Sequence, residues 1–363
     1  MKFTITRDNL KQATMKVISA ISNRITLPVM QNILVEAEGD AVTLTASDLE
    51  ITISATVPAL IFEPGATTVP AQKLAKIASD LPAGDVTAEN EKDSELKIAS
   101  GRVVFRLHCI SADSYQKPED FEEDWAFSMP AQELNRCIAK VAYAISDDSH
   151  RPALTGIYIA SKDGGLTIVA TDGRRLALVE RPQNVTVQTD GDLIMPGRLT
   201  TILKGLDSGD CQVRANSTYV SFVTSDTTIN SKLIAGNDPN YRQVIPSTFA
   251  NEVQIPRAEI SAALKRISIM IPQDQDNSSF KLTLEPGILT IFAQSQEYGD
   301  ATENIDLDYH GEPFNVCFAP NLFNDPLKVL EADNLSMSFT DDLSPVRISG
   351  DIGFTYILMP IRN

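Results

Sequence analysis

The chain repeats itself three times. KFTITRDNLKQATMKVISAI starts at Lys2, AFSMPAQELNRCIAKVAYAI at Ala126 and EVQIPRAEISAALKRISIMI at Glu252. Each reads as a short alternating strand, a helix-start signal and an apolar helical period. Phe3, Phe127 and Val253 correspond, as do Leu10, Leu134 and Ile260. A second block recurs in the same order: VTLTASD (Val42–Asp48), LTIVATD (Leu166–Asp172) and LTIFAQS (Leu289–Ser295). Its period-two alternation marks half-buried strands. A third block opens a second helix, from Val69, from Met195 and from Phe318. Two units close with an aromatic turn, DSYQKP (Asp113–Pro118) and DPNYRQ (Asp238–Gln243), whereas the third stops at MPIRN. Chance similarity between short strands does not keep three blocks in one order at one spacing.

Each unit therefore reads strand, helix, several strands, helix, several strands. This predicts an α+β fold of three tandem domains, 1–123, 124–249 and 250–363, each with two helices on one side of antiparallel sheet. The six predicted helices are Asp8–Ile21, Ala71–Leu81, Ala131–Ile145, Gly197–Leu206, Arg257–Met270 and Asn321–Ala332.

A net charge of −17 argues against contact with nucleic acid or an anionic membrane. Its distribution weakens that objection. Basic residues outnumber acidic ones on the predicted helices taken together, so the acidity lies elsewhere. Helix propensity for lysine and arginine is the bland explanation. The functional one is a basic helical layer that approaches a phosphate backbone, with the acidic exterior screened beyond a Debye length of roughly 8 Å.

Other classes fall away. The four cysteines (Cys109, Cys137, Cys211, Cys317) form no CxxC pair, and the three histidines (His108, His150, His310) stand apart. A disulfide framework, a metal site and a cofactor are not expected. HExxH, P-loop and GxSxG signatures are missing from the sequence. Ser47-Asp48 and Thr171-Asp172 are equivalent repeat positions, which suits a structural turn better than a single active site, so no catalytic residue is assigned. The N-terminus carries no apolar signal segment, and the Tyr356–Ile361 run is too short to span a bilayer. A cytoplasmic protein without membrane contact is expected.

Several stretches carry a resemblance: MKFTITRDNL at the start, RITLPVMQNIL at Arg24–Leu34, ATDGRRLAL at Ala170–Leu178, DPNYRQVIP at Asp238–Pro246 and YILMPIRN at the end. Together they resemble the bacterial sliding-clamp family, the beta subunits of the replicative DNA polymerase. The resemblance implies a head-to-tail homodimer, six domains around a ring, with helices lining the hole. It implies no chemistry. The ring encircles duplex DNA without sequence specificity and tethers the polymerase during replication and repair. The catalytic subunit, the clamp loader and repair proteins are the implied partners, held through short peptide motifs. The remaining alternative is a non-catalytic repeat scaffold that binds proteins only. Such a scaffold has no need of basic helices.

The resemblance also implies sites. A peptide groove falls on Leu154, Thr171, Gly173, Arg174, Arg175, Leu176, Pro239, Gln243, Val244, Leu343, Ile357, Met359, Pro360, Ile361 and Arg362. DNA-facing positions are Arg24 together with the helix cations Lys73, Lys76, Arg136, Lys140, Arg198, Lys204 and Lys265. Phe105 of one subunit faces Ile269 and Met270 of the other. The chain departs from the family pattern at Arg174, where histidine is common, and at Gln243, where arginine is. Ala319 and Leu322 stand where some members place asparagine and tyrosine, which predicts a less polar second half of the groove. Pro152 and Ala153 replace tyrosines, which puts DNA contact there in question.

Overall fold

A computed structural model describes residues 1–22, 27–92, 94–117, 120–206, 208–236, 240–271 and 279–361. Six α-helices lie in chain order among them: α1 Arg7–Val17, α2 Ala71–Asp80, α3 Ala131–Ala142, α4 Leu199–Ile202, α5 Arg257–Ile267 and α6 Pro320–Leu327. Local chemistry sets their ends. Thr6 caps α1 by accepting from the Asn9 amide, with Asp8 in the first turn and Lys16 in the last, the polarity that suits the helix dipole. Leu10, Ala13, Thr14 and Val17 turn the buried face of α1 inward at helical spacing.

The chain forms two compact units. The first comprises Met1–Asn135, Thr186–Gly191 and Thr201–Leu233; the second comprises Arg136–Val185, Asp192–Thr200 and Ile234–Asn363. The middle third of the sequence thus contributes to both. The cause is strand pairing. In the first unit, strand Thr227–Lys232 pairs with Ile51–Pro58 and completes a nine-stranded sheet. In the second, Arg175–Glu180 pairs with Phe354–Leu358 and completes an eight-stranded sheet. A five-stranded sheet completes the first unit and a four-stranded sheet the second.

The register expresses the repeat residue by residue. Phe3 pairs with Ala88, Ala88 with Ile98, and Ile98 with Phe105. Phe127 runs likewise through Val213 and Phe222 to Ile229. Val253 runs through Met337 and Ile348 to Tyr356. Phe105, Ile229 and Tyr356 are therefore equivalent. In the other strand family Ala46 pairs with Ile53, Ala170 with Ala177 and Ala293 with Ala301. The two files meet at Ile53–Ile229 in the first unit and at Ala177–Tyr356 in the second. Among the described residues, strands Val103–His108 and Gly299–Asp306 end their sheets, so the third such pair, Phe105 and Ala301, stands on two free edges.

Candidate functional site

The turn that follows strand Gly165–Thr171 is built by one aspartate. Asp172 Oδ1 accepts the Arg174 and Arg175 amides at 2.8 and 3.0 Å, and Thr171 Oγ1 donates to the Arg175 carbonyl at 2.6 Å. Gly173 takes φ +89°, a left-handed conformation that a side chain resists. The Met359 amide donates to the Arg174 carbonyl at 2.9 Å, which ties the end of the last strand to this turn.

Beneath lies an apolar cluster of Tyr158, Val169, Leu176, Leu178, Ile194, Tyr241 and Ile357, with Ala153 and Ile245 against it. Leu176 and Ile357 are strand partners, 1% and 2% exposed, and so form the base of the site rather than its open surface. The apolar surface is supplied by Val244 at 52% exposure and Met359 at 40%. Leu343 is also exposed, in a turn that leads into Val346, the strand partner of Leu358. Leu154, Thr171, Pro360 and Ile361 are half-buried, and Gln243 and Arg174 are exposed. The Ile361 amide donates to the Cys317 carbonyl at 2.8 Å. Pro239 and Arg362 lie outside the described residues.

Arg175 does not stand at the rim. Its side chain is 10% exposed and bonds Asp172 Oδ2 at 2.9 Å, Asp325 Oδ2 at 2.6 Å and the Tyr143 carbonyl. Burial opposes its charge, but Asp325 and Asp172 hold it protonated. Arg175, expected among the groove residues, therefore supports the groove from within: its donors are spent inside the protein, where they pin the turn. Sequence reasoning missed Asp325 and Tyr143, for which no local motif speaks. Asp172 was legible as the aspartate of the repeated turn.

The cations expected to face DNA divide into two groups by exposure. Lys73, Lys76, Lys204, Lys265 and Arg198 are exposed. Arg136 is at the surface but chelated by Glu331, with Nε to Oε1 at 2.7 Å. Lys140 is 8% exposed and bonds Asp351 at 2.7 Å, so its placement among the DNA-facing residues is corrected. A buried, paired ammonium has no charge to offer an outside phosphate. Arg24 lies outside the described residues.

Of the expected interface residues, Phe105 is half-buried on the free edge of the five-stranded sheet, beside exposed Val103 and Val104. Ile269 is 77% exposed and Met270 half-buried in the turn after α5. Cys137 and Cys211 are buried, and Cys109 and Cys317 half-buried. Among the described residues, no helix is long and apolar enough to cross a membrane, and no cluster of His, Cys, Asp and Glu has metal-binding geometry.

Comparison with known proteins gives one consistent result. Residues 1–118, 128–240 and 242–362 match the N-terminal, central and C-terminal domains of the DNA polymerase III beta subunit. A beta sliding clamp from Caulobacter vibrioides is 32% identical, and one from Bacillus subtilis 30%, each over the whole of both chains. The crystal structure of the Bacillus subtilis sliding clamp superposes with a TM-score of 0.94, covering all of this chain and 99% of that one. A Pseudomonas aeruginosa sliding clamp bound to griselimycin, 28% identical over the full length of both chains, gives the same score.

Proposed function

Because this chain belongs to the DNA polymerase III beta subunit family, the bacterial sliding clamps, we propose that two copies close head to tail into a ring around duplex DNA. Like its family it is a non-catalytic processivity factor of the replicative polymerase. The reading as a scaffold for proteins alone is not favoured.

The observation that carries ring closure is the unfinished strand register. Two of three equivalent joints are made within the chain, Ile53 to Ile229 and Ala177 to Tyr356. The third has its two halves on free edges. A second copy supplies the missing half at each end, so Phe105 of one subunit meets Ala301 of the other. Exposed Val103, Val104, Ile269 and Tyr298 favour burial there. Three domains per chain, 1–123, 124–249 and 250–363, then give six in the ring.

The exposed helix cations Lys73, Lys76, Arg198, Lys204 and Lys265, with Arg24, face the DNA. Their contacts are few and to phosphate, which permits sliding. Topology replaces affinity, and the acidic remainder of the chain is kept off the duplex.

Partners dock as short peptides on Val244, Met359, Leu154 and Leu343, over the Leu176–Ile357 base. The polymerase catalytic subunit, the clamp loader and repair proteins compete for this surface in the cytoplasm. A leucine and a phenylalanine buried there contribute roughly 1.5–3 kcal/mol each before ordering costs, which fits micromolar affinity.

Retention on DNA tests encirclement. Rings loaded on circular duplex should persist far longer than on linear duplex, from whose ends they slide. Equal retention on both overturns the proposal.

A further inference from the structure

The frame of the peptide groove occurs twice, and its first copy encloses a cavity of about 210 Å³ within the first unit. Asp48 plays the part of Asp172: its Oδ1 accepts the Glu50 and Ile51 amides at 3.1 and 2.8 Å. The Lys232 amide donates to the Glu50 carbonyl at 3.0 Å, as Met359 does to Arg174. Tyr115 fills the place of Tyr241, and both are buried. Leu49 occupies the position of Gly173 at φ +73°, a conformation rarely tolerated by a branched side chain, and is still 42% exposed. A strained leucine kept in the open at a cavity mouth is a feature that packing alone does not require.

The lining differs from the second copy in a definite direction. Thr52 stands where the base has Leu176, Asn230 where it has Ile357, and Lys232 where it has Met359. One wall is aromatic: Phe121 stacks on Tyr219 with centroids 5.9 Å apart, and Tyr219 is 38% exposed. Lys117 and Lys232 flank the cavity, and their partners Glu36 and Glu50 hold them only in exposed pairs. Such pairs contribute little and exchange readily for an incoming carboxylate.

We propose that this cavity is a second docking site, for a short extended acidic peptide with one aromatic side chain. The aromatic ring lies against Leu49 and Tyr219, the carboxylates meet Lys117 and Lys232, and the Asn230 amide satisfies a peptide polar group, while Ser47 and Thr52 are paired with each other beneath it. The floor suits the leucine and phenylalanine anchors of the other groove less well, because Asn230 replaces Ile357 and the Ser47–Thr52 hydroxyl pair, 2.7 Å apart, replaces Leu176, so an apolar anchor there desolvates the Asn230 amide and gains less apolar contact. One chain thereby holds two chemically distinct partners at once. The assignment rests on the reading of the second copy as a peptide groove.

The test uses the full-length protein and two fluorescein-labelled hexapeptides, Ser-Asp-Tyr-Asp-Ser-Gly and one with adjacent leucine and phenylalanine, followed by fluorescence anisotropy. Leu49→Gly suits the left-handed backbone and so keeps the fold, and Lys232→Gln removes the cation of the surface pair with Glu50 without setting two carboxylates together. Each should weaken the acidic peptide about tenfold or more and leave the other peptide unaffected; Met359→Lys should do the reverse. The proposal is overturned if the acidic peptide shows no saturable binding below about 1 mM, or if Met359→Lys removes it. It is equally overturned if an oligo-dT strand competes it off at lower concentration, which makes the cavity a nucleic-acid site. Failure of the leucine–phenylalanine peptide alone sinks the other groove and leaves this one standing.

Discussion

Lys140 and Asp351 face each other across 2.7 Å, each side chain only 10% exposed. Asp351 also accepts the Ala332 amide at 2.8 Å and the Glu331 amide at 3.1 Å. Burial raises its carboxyl pKa, but Lys140 and those amides outweigh it and hold the group below the usual carboxylate range. Lys140→Ala leaves a buried carboxylate without its cation and should cost about 3–5 kcal/mol by denaturant titration. The pH dependence follows from the lowered pKa. The pair stabilises the fold above the unfolded value of about 3.9, and the contribution disappears as pH falls through the folded value. Stability of Asp351→Asn should therefore fall less steeply below about pH 4. An equally steep fall in the variant contradicts this role.

Lys140 also shows where sequence reasoning stops. Its helical position and its charge were legible; its burial was not, because Asp351 stands in the last repeat and no local pattern links them. The repeat itself carried more. Aligning Phe3, Phe127 and Val253 placed three strands whose cross-strand files the structure reproduces one for one. Helix ends were overrun for physical reasons. The middle repeat's second helix is only Leu199–Ile202, then a tighter turn to Gly205, since Thr200, Thr201 and Ile202 are β-branched and glycine ends the run. In the last repeat Pro326 sits in the final turn and α6 stops at Leu327. At the groove, the turn motif was visible in ATDG, whereas the burial of Arg175 depends on Asp325, which no spacing announces.

Arg175 should act on peptide binding through the turn it pins. Arg175→Lys keeps a charge but loses the fork that serves Asp172, Asp325 and the Tyr143 carbonyl together. Peptide affinity should drop about tenfold along with thermal stability. Arg174→Ala, at an exposed position, should leave stability within about 0.5 kcal/mol. Calorimetric titration beside a melting curve separates the two. Loss of stability in Arg174→Ala as large as in Arg175→Lys would refute the division.

Thiol chemistry should sort the cysteines by burial. Burial pushes the Cys211 thiol up to about 12, beyond the help of its backbone hydrogen bond. Native protein at pH 8 with an alkylating agent should leave Cys211 and Cys137 unmodified, while Cys317, half-buried, reacts first. The thiol of Cys109 is also raised by burial and should lag behind it. Mass spectrometry of the digests reads the order, and early labelling of Cys211 excludes it.

The strand register makes the sharpest prediction about assembly. If the open edges join as the two internal joints do, Phe105 of one subunit lies directly opposite Ala301 of its partner. Opposed residues in an antiparallel ladder have Cα atoms about 4.5–5.5 Å apart, within the span of a disulfide. The double variant Phe105→Cys with Ala301→Cys should therefore oxidise to a species of about twice 39.6 kDa on a non-reducing gel. Each single variant should remain at the monomer mass, because its new thiol has no partner. Phe105→Cys with Thr302→Cys is the register control: a shift of one residue turns the second side chain to the other face of the sheet. Strong cross-linking with Thr302, or none with Ala301, refutes the register. Efficient cross-linking with Ala301 alone places the third joint in line with the two that the chain makes within itself.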